Sequence, residues 1–447
     1  MKLTHLIAAA GLACQAVSLS AQTQAPAPTP VANDAWQPTA EVNKELPRWL
    51  KFSGSYRMRV EDQDGIGFKD VSDAHVLGLL QFGVKVQPTA WLSFFGQGQD
   101  ARIYLNGPVA KAPPYQNSWD LHQAWAELGN AEKYHVKLRV GRQELTFGDQ
   151  RLVGASQWQN VSRVFDAALA TFVFSGGRVD AFASSVVNSV DGQLDHHKQG
   201  NPLHGVYGSF TKLVPKAVIE LYVFWRLEPL GYSAAYASGL KGKLDEKTYG
   251  FRFAGKLPAR FDYELEMARQ SGSLGANSIG AWAGHWVAGR SFDAKLKPRV
   301  LAEFNYASGT GNPTGTKIAT FDQLYPTGHN KFGLTDQVGW RNIKDLRTGI
   351  ELKPSTKLNL AGIYHDLWLA DSHDGLYAAT GAVTAKSLAG TAGTHVGQEL
   401  DIQGMYKYNK AVQLGMGFGH LFTGEFLKNT TPGKAYNFPY AMVTYAF

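Results

Sequence analysis

The sequence predicts an all-β protein, a transmembrane antiparallel β-barrel of about eighteen strands with both chain ends on the periplasmic side. Three observations carry this. Gly is abundant at 48 residues, aromatics reach 12% and charged residues only 18%, below the roughly 25% of an average soluble domain. From Trp49 onward the chain falls into stretches of about ten residues that alternate apolar and polar, the period of a pleated strand with lipid on one face and water on the other. The links between those stretches alternate short and long, as expected where one rim of a barrel carries tight turns and the other carries free loops.

The chain starts "MKLTHLIAAAGLACQAVSLSAQ", a Lys, an apolar core and small residues, expected to be a secretory signal peptide over residues 1–21. Its Cys14 is the only cysteine in the sequence, so the exported chain would hold no disulfide and no sulfur metal site. Losing residues 1–21 removes Lys2 alone among the charges and takes the formal net charge from +7 to +6. Residues 22–48, rich in Pro, Ala and Thr with no apolar face, read as a weakly ordered periplasmic lead-in. The barrel is expected over residues 49–447.

The clearest strand is "KFSGSYRMRVED", where Phe52, Gly54, Tyr56, Met58 and Val60 share one face and Arg57, Arg59 and Glu61 the other. In "DAHVLGLLQFGVKVQ", Val76, Leu80, Phe82, Val84 and Val86 oppose His75, Gln81, Lys85 and Gln87. Further strands are expected near 91–105, 118–129, 134–147, 165–175, 178–189, 204–214, 217–228, 247–257, 261–272, 278–291, 297–308, 343–354, 356–370, 395–409, 412–425 and 438–447. Links such as "SGG", "VPK" and "PS" mark one rim, and the stretch from Gly309 to Asn342 is the longest link on the other. A secreted β-sandwich or propeller would alternate as well, but would not require short and long links to take turns so regularly, and no blade-length repeat is visible. The final "AMVTYAF" reads as the closing strand, with an aromatic at an interface.

If the apolar faces meet lipid, parity assigns the lumen. Basic candidates include Arg57, Arg59, Lys85, Arg139, Arg252, Arg347 and Lys353, and acidic ones include Glu61, Glu220, Asp262, Glu264, Glu266, Glu303, Glu351, Glu399 and Asp401. Most are expected to pair across the wall, because unpaired buried charge is costly, while a part of the basic set holds anions as charged rings do in selective pores. The segment Arg139 to Gln143 breaks parity, since Arg142 and Glu144 would fall on the lipid side with Val136, Leu138 and Val140. A bulge at Gly141 is expected to turn Arg142 and Glu144 inward and Leu145 and Phe147 outward.

The run "GRQELTFGDQRLVG", followed by "QWQNVSRVFDAA" and preceded by "SWDLHQAWAEL", resembles the alginate export family of Gram-negative outer-membrane barrels. The matching positions are Arg142, Gln143, Gly148, Asp149, Arg151, Gly154, Trp158, Arg163, Phe165 and Asp166. The resemblance implies an eighteen-stranded barrel whose arginine-rich lumen passes an anionic polysaccharide, with loops limiting the pore. A terminal Phe447 resembles the signal by which the barrel-assembly machinery recognises such chains.

No Gly-x-Ser-x-Gly elbow, phosphate loop or His-Glu-x-x-His occurs, so no enzyme is expected. Asp195 to His197 and the stretch Tyr364 to Asp374 read as loop and cross-strand polar groups ahead of metal ligands, and Glu264 with Glu266 as absorbed by wall arginines ahead of a glycosidase pair. No cofactor and no nucleic acid are expected. The expectation is a passive channel for anionic saccharides or related anions, in contact with outer-membrane lipid and with room for a periplasmic partner. A general or nutrient-uptake porin, and a barrel enzyme or plugged structural barrel, stand as alternatives.

Overall fold

The computed structural model describes residues 37–229 and 239–447; the expected signal peptide and residues 22–36 of the lead-in lie outside them. The described residues form eighteen barrel strands: β1 Leu50–Asp64, β2 Ser72–Thr89, β3 Leu92–Tyr104, β4 Asn117–Asn130, β5 Val136–Gln143, β6 Phe165–Phe174, β7 Gly177–Asn188, β8 His196–Phe210, β9 Ala217–Glu228, β10 Leu244–Lys256, β11 Phe261–Leu274, β12 Asn277–Ser291, β13 Arg299–Ala307, β14 Ile343–Leu352, β15 Leu358–Leu369, β16 His395–Lys407, β17 Val412–Thr423 and β18 Tyr436–Ala446. Each pairs antiparallel with the next, and β18 pairs back onto β1 from Ser55 opposite Ala446 to Asp64 opposite Asn437. Closure leaves no sheet edge, which a barrel in lipid requires because nothing there can satisfy free backbone groups.

The outward face is apolar as alternation demands. Tyr56, Met58 and Val60 on β1, Val136, Leu138 and Val140 on β5, Leu221, Val223 and Trp225 on β9, and Leu414, Met416 and Phe418 on β17 are all large and exposed. A continuous belt of such residues is stable only against hydrocarbon. No helix among the described residues is long and apolar enough to cross a membrane, so the strands do the crossing.

The seam is finished by the chain ends. Phe447 and Gly54 exchange backbone bonds at 2.8 Å in both directions, which extends the β1–β18 ladder by one pair. Below it, α1 (Pro38–Glu45) takes over from the exhausted strand. The Asn43 side chain accepts from Phe52 N–H and donates to the Phe52 carbonyl, both at 2.8 Å, an amide standing in for a neighbouring strand. Gln37 Nε2 donates to the Ala446 carbonyl at 3.1 Å. The lead-in is therefore ordered from Pro38 to Glu45, where sequence reading expects none; its fixed points are hydrogen bonds to β1 rather than a buried apolar face.

Two further expectations need correction. The strand expected over 134–147 stops at Gln143. Leu145 and Phe147 do not face lipid: they are buried inside the barrel, with Phe147 stacked on Phe182 and Tyr207 at centroid distances of 5.1 and 5.0 Å. The ladders run through Gly141 without a register shift, Arg142 opposite Ala124 and Asp166. Gly141 has φ +124°, a left-handed value that favours glycine, but it does not bulge. The bulge falls one strand earlier, where Gln97 pairs with Gln123 and Gly98 with Leu121, which leaves His122 as the extra residue of β4.

Candidate substrate pathway inside the barrel

Two long links turn into the lumen. The first, residues 144–164, is drawn in by β1. Arg57 donates to the carbonyls of Gln157 and Gln159 at 2.7 and 2.9 Å, and Arg59 to that of Trp158 at 2.7 Å. Charged donors to backbone carbonyls are among the stronger hydrogen bonds, so these two arginines fix three consecutive peptides. Trp158 is then held between the Arg59 guanidinium, 3.7 Å from its ring, and the parallel His329 imidazole at 3.8 Å. Leu145, Phe147, Leu152 and Val153 are buried, each worth about 1.5–3 kcal/mol for a fully buried large aliphatic or aromatic side chain.

The second inward link, residues 308–342, meets the first inside the barrel. Val153 and Tyr325 bridge in parallel. Gly154 N–H donates to the Tyr325 carbonyl at 2.9 Å, Tyr325 N–H to that of Leu152 at 2.8 Å and Thr327 N–H to that of Gln150 at 2.9 Å. Arg163 clamps the junction by donating to the carbonyls of Gly154, Tyr325 and Pro326; burial pulls its pKa down to about 10. Buried ion pairs anchor both links to each other and to the wall. Lys331 donates to Asp149 at 2.5 Å, Arg151 reaches Asp149 and Glu303 at 3.2 Å each, and Asp322 sits between Arg226 at 2.5 Å and Arg341 at 3.0 Å. Burial opposes the charge on Asp149, but Lys331 and Arg151 override it and hold the carboxyl well below the ordinary range. On the opposite wall Glu399 accepts from Thr335 N–H and Oγ1, and Asp401 from Leu334 N–H.

The sequence reading places most of the basic candidates on the lumen side, and the structure shows what they touch. Arg252 holds Glu264 through two bonds of 2.8 Å and Glu220 through one of 2.6 Å. Arg347 reaches Glu303 at 2.5 Å, and Arg139 reaches Glu127 at 2.6 Å while lying over the Trp125 ring. Lys85 shares the inner face of β2 with Gln81. Arg142 is the exception. It stays on the outer side with Val140, pairs with Asp166 at 2.9 Å and donates to the Asp195 carbonyl, so it is a rim contact on the outer surface and not a lumen group. Gln143 is buried and donates to the Ala167 carbonyl. Gly148 has φ +55°, and Phe165 packs edge-on to Tyr325. Glu266 accepts from Tyr222 rather than from an arginine. Of the stretch Tyr364 to Asp374, His365 lies 3.0 Å from Asp345 and Asp366 2.9 Å from His395.

Residues of the first inward link line two cavities of the lumen that share no lining residue. The first, about 230 Å³, is charged, lined by Asp149, Arg151, Lys256, Asp262, Glu264, Arg299, Glu303, Arg347, Glu351 and Lys353 among others. The second, about 100 Å³, is lined mainly by amides, hydroxyls, thioethers and aromatics, with Arg57 its only guanidinium and Glu144 its only carboxylate. Asp149 and Arg151 face the charged side, Gln150 and Gln157 the other. Sequence reasoning missed Lys256, Asp322, Tyr325, Thr327, Lys331 and Arg341. The density of Asp, Asn, Arg and aromatics in "FDQLYPTGHNKFGLTDQVGWRN" is the signal that could have found five of them, because it matches the first inward link.

At the long-link rim, Asp195 N–H donates to Asp120, and the Asp195 carboxylate accepts from Ser189 and Val190. Burial first, and then the Asp120 carboxyl, push Asp195 up to about 6. A carboxyl raised in the folded state stabilises it at low pH, and that contribution is lost as pH rises through the folded value. Hydrogen-exchange protection of residues 189–195 should therefore be higher at about pH 5 than at about pH 7.5, and Asp120→Asn should flatten part of the profile; an unchanged profile in that variant contradicts the role given to the Asp120 carboxyl.

A closed eighteen-stranded antiparallel barrel with a lipid-facing belt and inward-folded links defines an outer-membrane channel protein. The family model for alginate export matches residues 48–440, and the chain belongs to that family. No curated protein matches the sequence. Among solved structures the chain is similar to Pseudomonas aeruginosa OccD3 (OpdP), with 12% identity and a TM-score of 0.59 over 90% of this chain and 92% of that one. It is similar also to P. aeruginosa OpdK, solved with vanillate (11%, TM-score 0.59, 89% and 98%), and to Acinetobacter baumannii OccAB4 (12%, TM-score 0.56, 89% and 98%). At these identities the likeness speaks for the fold. The protein is an integral outer-membrane β-barrel.

Proposed function

We propose that the barrel passes anionic saccharides, polyuronates or related anions, through the charged cavity. The observation that carries the reading is an asymmetry of pairing. Each of the five carboxylates lining that cavity, Asp149, Asp262, Glu264, Glu303 and Glu351, has a cationic partner. Among the described residues, Lys256 and Lys353 line it with no carboxylate at ion-pair distance. The lining holds five cations and five carboxylates, but because Arg299 serves two of the carboxylates the two lysines stay untied, and their ammonium donors are available to replace the solvent contacts of a sugar carboxylate. Arg299 and Arg347 stand beside them as shared donors. Arg252 and Arg139 act by keeping the wall carboxylates occupied, while Arg57 and Arg59 act by holding the first inward link in place.

The reading makes the protein a channel and not an enzyme. It also assigns the short-turn rim, where α1 and Phe447 lie, to the periplasm, with a periplasmic partner docking there and with β18 and Phe447 engaging the barrel-assembly machinery during insertion. In planar bilayers, Lys256→Met with Lys353→Met should weaken current block by an oligouronate by about tenfold, roughly what losing one or two charge-assisted bonds costs. Block that survives both substitutions unchanged would remove this cavity from the path.

A further inference from the structure

The second cavity has a different chemistry. Three residues of its lining each carry one polar atom that has no protein partner and is itself shut off from solvent: Arg57 Nε, Gln403 Nε2 and Gln157 Oε1. Gln403 is 9% exposed, and a side-chain amide that far from solvent is costly to leave unpaired. Around these atoms stand Gln81, Gln413, Ser55 and Thr444, with Leu79, Met405 and Met442 supplying apolar contact. The charged groups of the lining are one guanidinium, Arg57, and one carboxylate, Glu144, beside the His329 imidazole, so the two formal charges cancel.

Side-chain amides and hydroxyls bring donors and acceptors together around one small volume, and such a lining selects its ligand by type. A carboxylate accepts only, and would leave the acceptors of that lining unused while sharing the cavity with Glu144. An ammonium donates only, and would leave the amide and hydroxyl donors unused. A hydroxyl does both, and adjacent hydroxyls on a ring present donor and acceptor together with C–H faces for the thioethers. We infer that this compartment is a binding site for a neutral polyhydroxylated solute, a sugar unit without charge, separate from the anion path across the first inward link. The inference rests on the channel reading, and its test uses a binding measurement that does not require current to flow.

The test is calorimetric titration of the detergent-purified chain with maltotriose as the neutral probe and trigalacturonate as the charged one. Maltotriose should bind the wild type, and Gln403→Leu and Gln413→Leu should each weaken it about three- to tenfold, the range for losing one hydrogen bond of the neutral kind. Trigalacturonate binding should be unchanged in both variants and weakened in the Lys256→Met, Lys353→Met pair. Gln413 is only partly buried, so its variant decides the matter even if Gln403→Leu fails to fold. No maltotriose binding to the wild type up to about 50 mM, or binding indifferent to both glutamines, overturns the inference. Maltotriose binding without trigalacturonate binding would instead overturn the anion reading and leave this site standing.

Discussion

Gly154→Val is expected to part the two inward links and widen the conducting path. A Cβ at position 154 would meet Thr327 Oγ1 inside contact distance, and the Gln150 side chain at 2.8 Å. Thr327 Oγ1 is itself committed: it accepts from Ser156 N–H at 3.0 Å and donates to Gln150 Oε1 at 2.8 Å. A branched side chain therefore displaces either Thr327, with loss of both bonds, or the Gly154 to Tyr325 backbone bond beside it. Overpacking of this kind costs about 1–3 kcal/mol, comparable to the junction's own hydrogen bonds at about 0.5–1.5 kcal/mol each. The barrel ladders lie elsewhere and should persist. The expected result is an unchanged heat-modifiable barrel with single-channel conductance raised by about twofold or more and with added flicker, as a constriction loosens. Conductance equal to wild type would mean that the junction does not limit the path.

The second large effect lies at Lys331. Its ammonium and Asp149 are both nearly excluded from solvent; leaving a buried charge wholly uncompensated costs about 3–5 kcal/mol, and because Arg151 keeps a second hold on Asp149 at 3.2 Å the loss of Lys331 is expected to fall below that range. Lys331→Met should undock residues 308–342, visible as new protease cleavage within that link and a fall in thermal stability. Replacing both partners, Lys331→Met with Asp149→Leu, should recover a large part of the loss, since a buried pair and an apolar pair of like volume are nearly equal. The pH dependence has a defined sign. A carboxylate held below its ordinary value contributes fully above the unfolded pKa near 4 and loses the contribution only as pH falls through the depressed folded value. The Asp149 contribution to protection of the second link, read as the difference between wild type and the double variant, should be flat between about pH 5 and 8. A double variant no better than the single, or cleavage already present in wild type, contradicts the latch.

The strands were legible because lipid on one side and water on the other write period two into each of them. Tyr56, Met58 and Val60 against Arg57, Arg59 and Glu61 is that pattern at its plainest. The inward links were not legible, because their partners are remote in sequence: Gly154 needs Tyr325, and Asp149 needs Lys331. For the same reason Arg57 and Arg59 could be placed in the lumen by parity, yet not read as anchors, since the groups they hold are backbone carbonyls that no residue type announces. Leu145 and Phe147 were misplaced because an apolar residue facing a packed link inside the barrel looks the same as one facing lipid. Arg142 was misplaced because a bulge at Gly141 was invoked against parity to bring its charge inside, whereas an outer-face ion pair with Asp166 near the rim accommodates it where parity puts it. The same limit hid Lys256, whose role depends on which carboxylates nearby are already taken.

The most direct measurement is the reversal potential of the purified wild-type protein in a planar bilayer under a potassium chloride gradient, followed by addition of an oligouronate to one side. The account predicts a reversal potential displaced toward chloride and a concentration-dependent block. Cation preference, or clean insertion with no conductance, would contradict it.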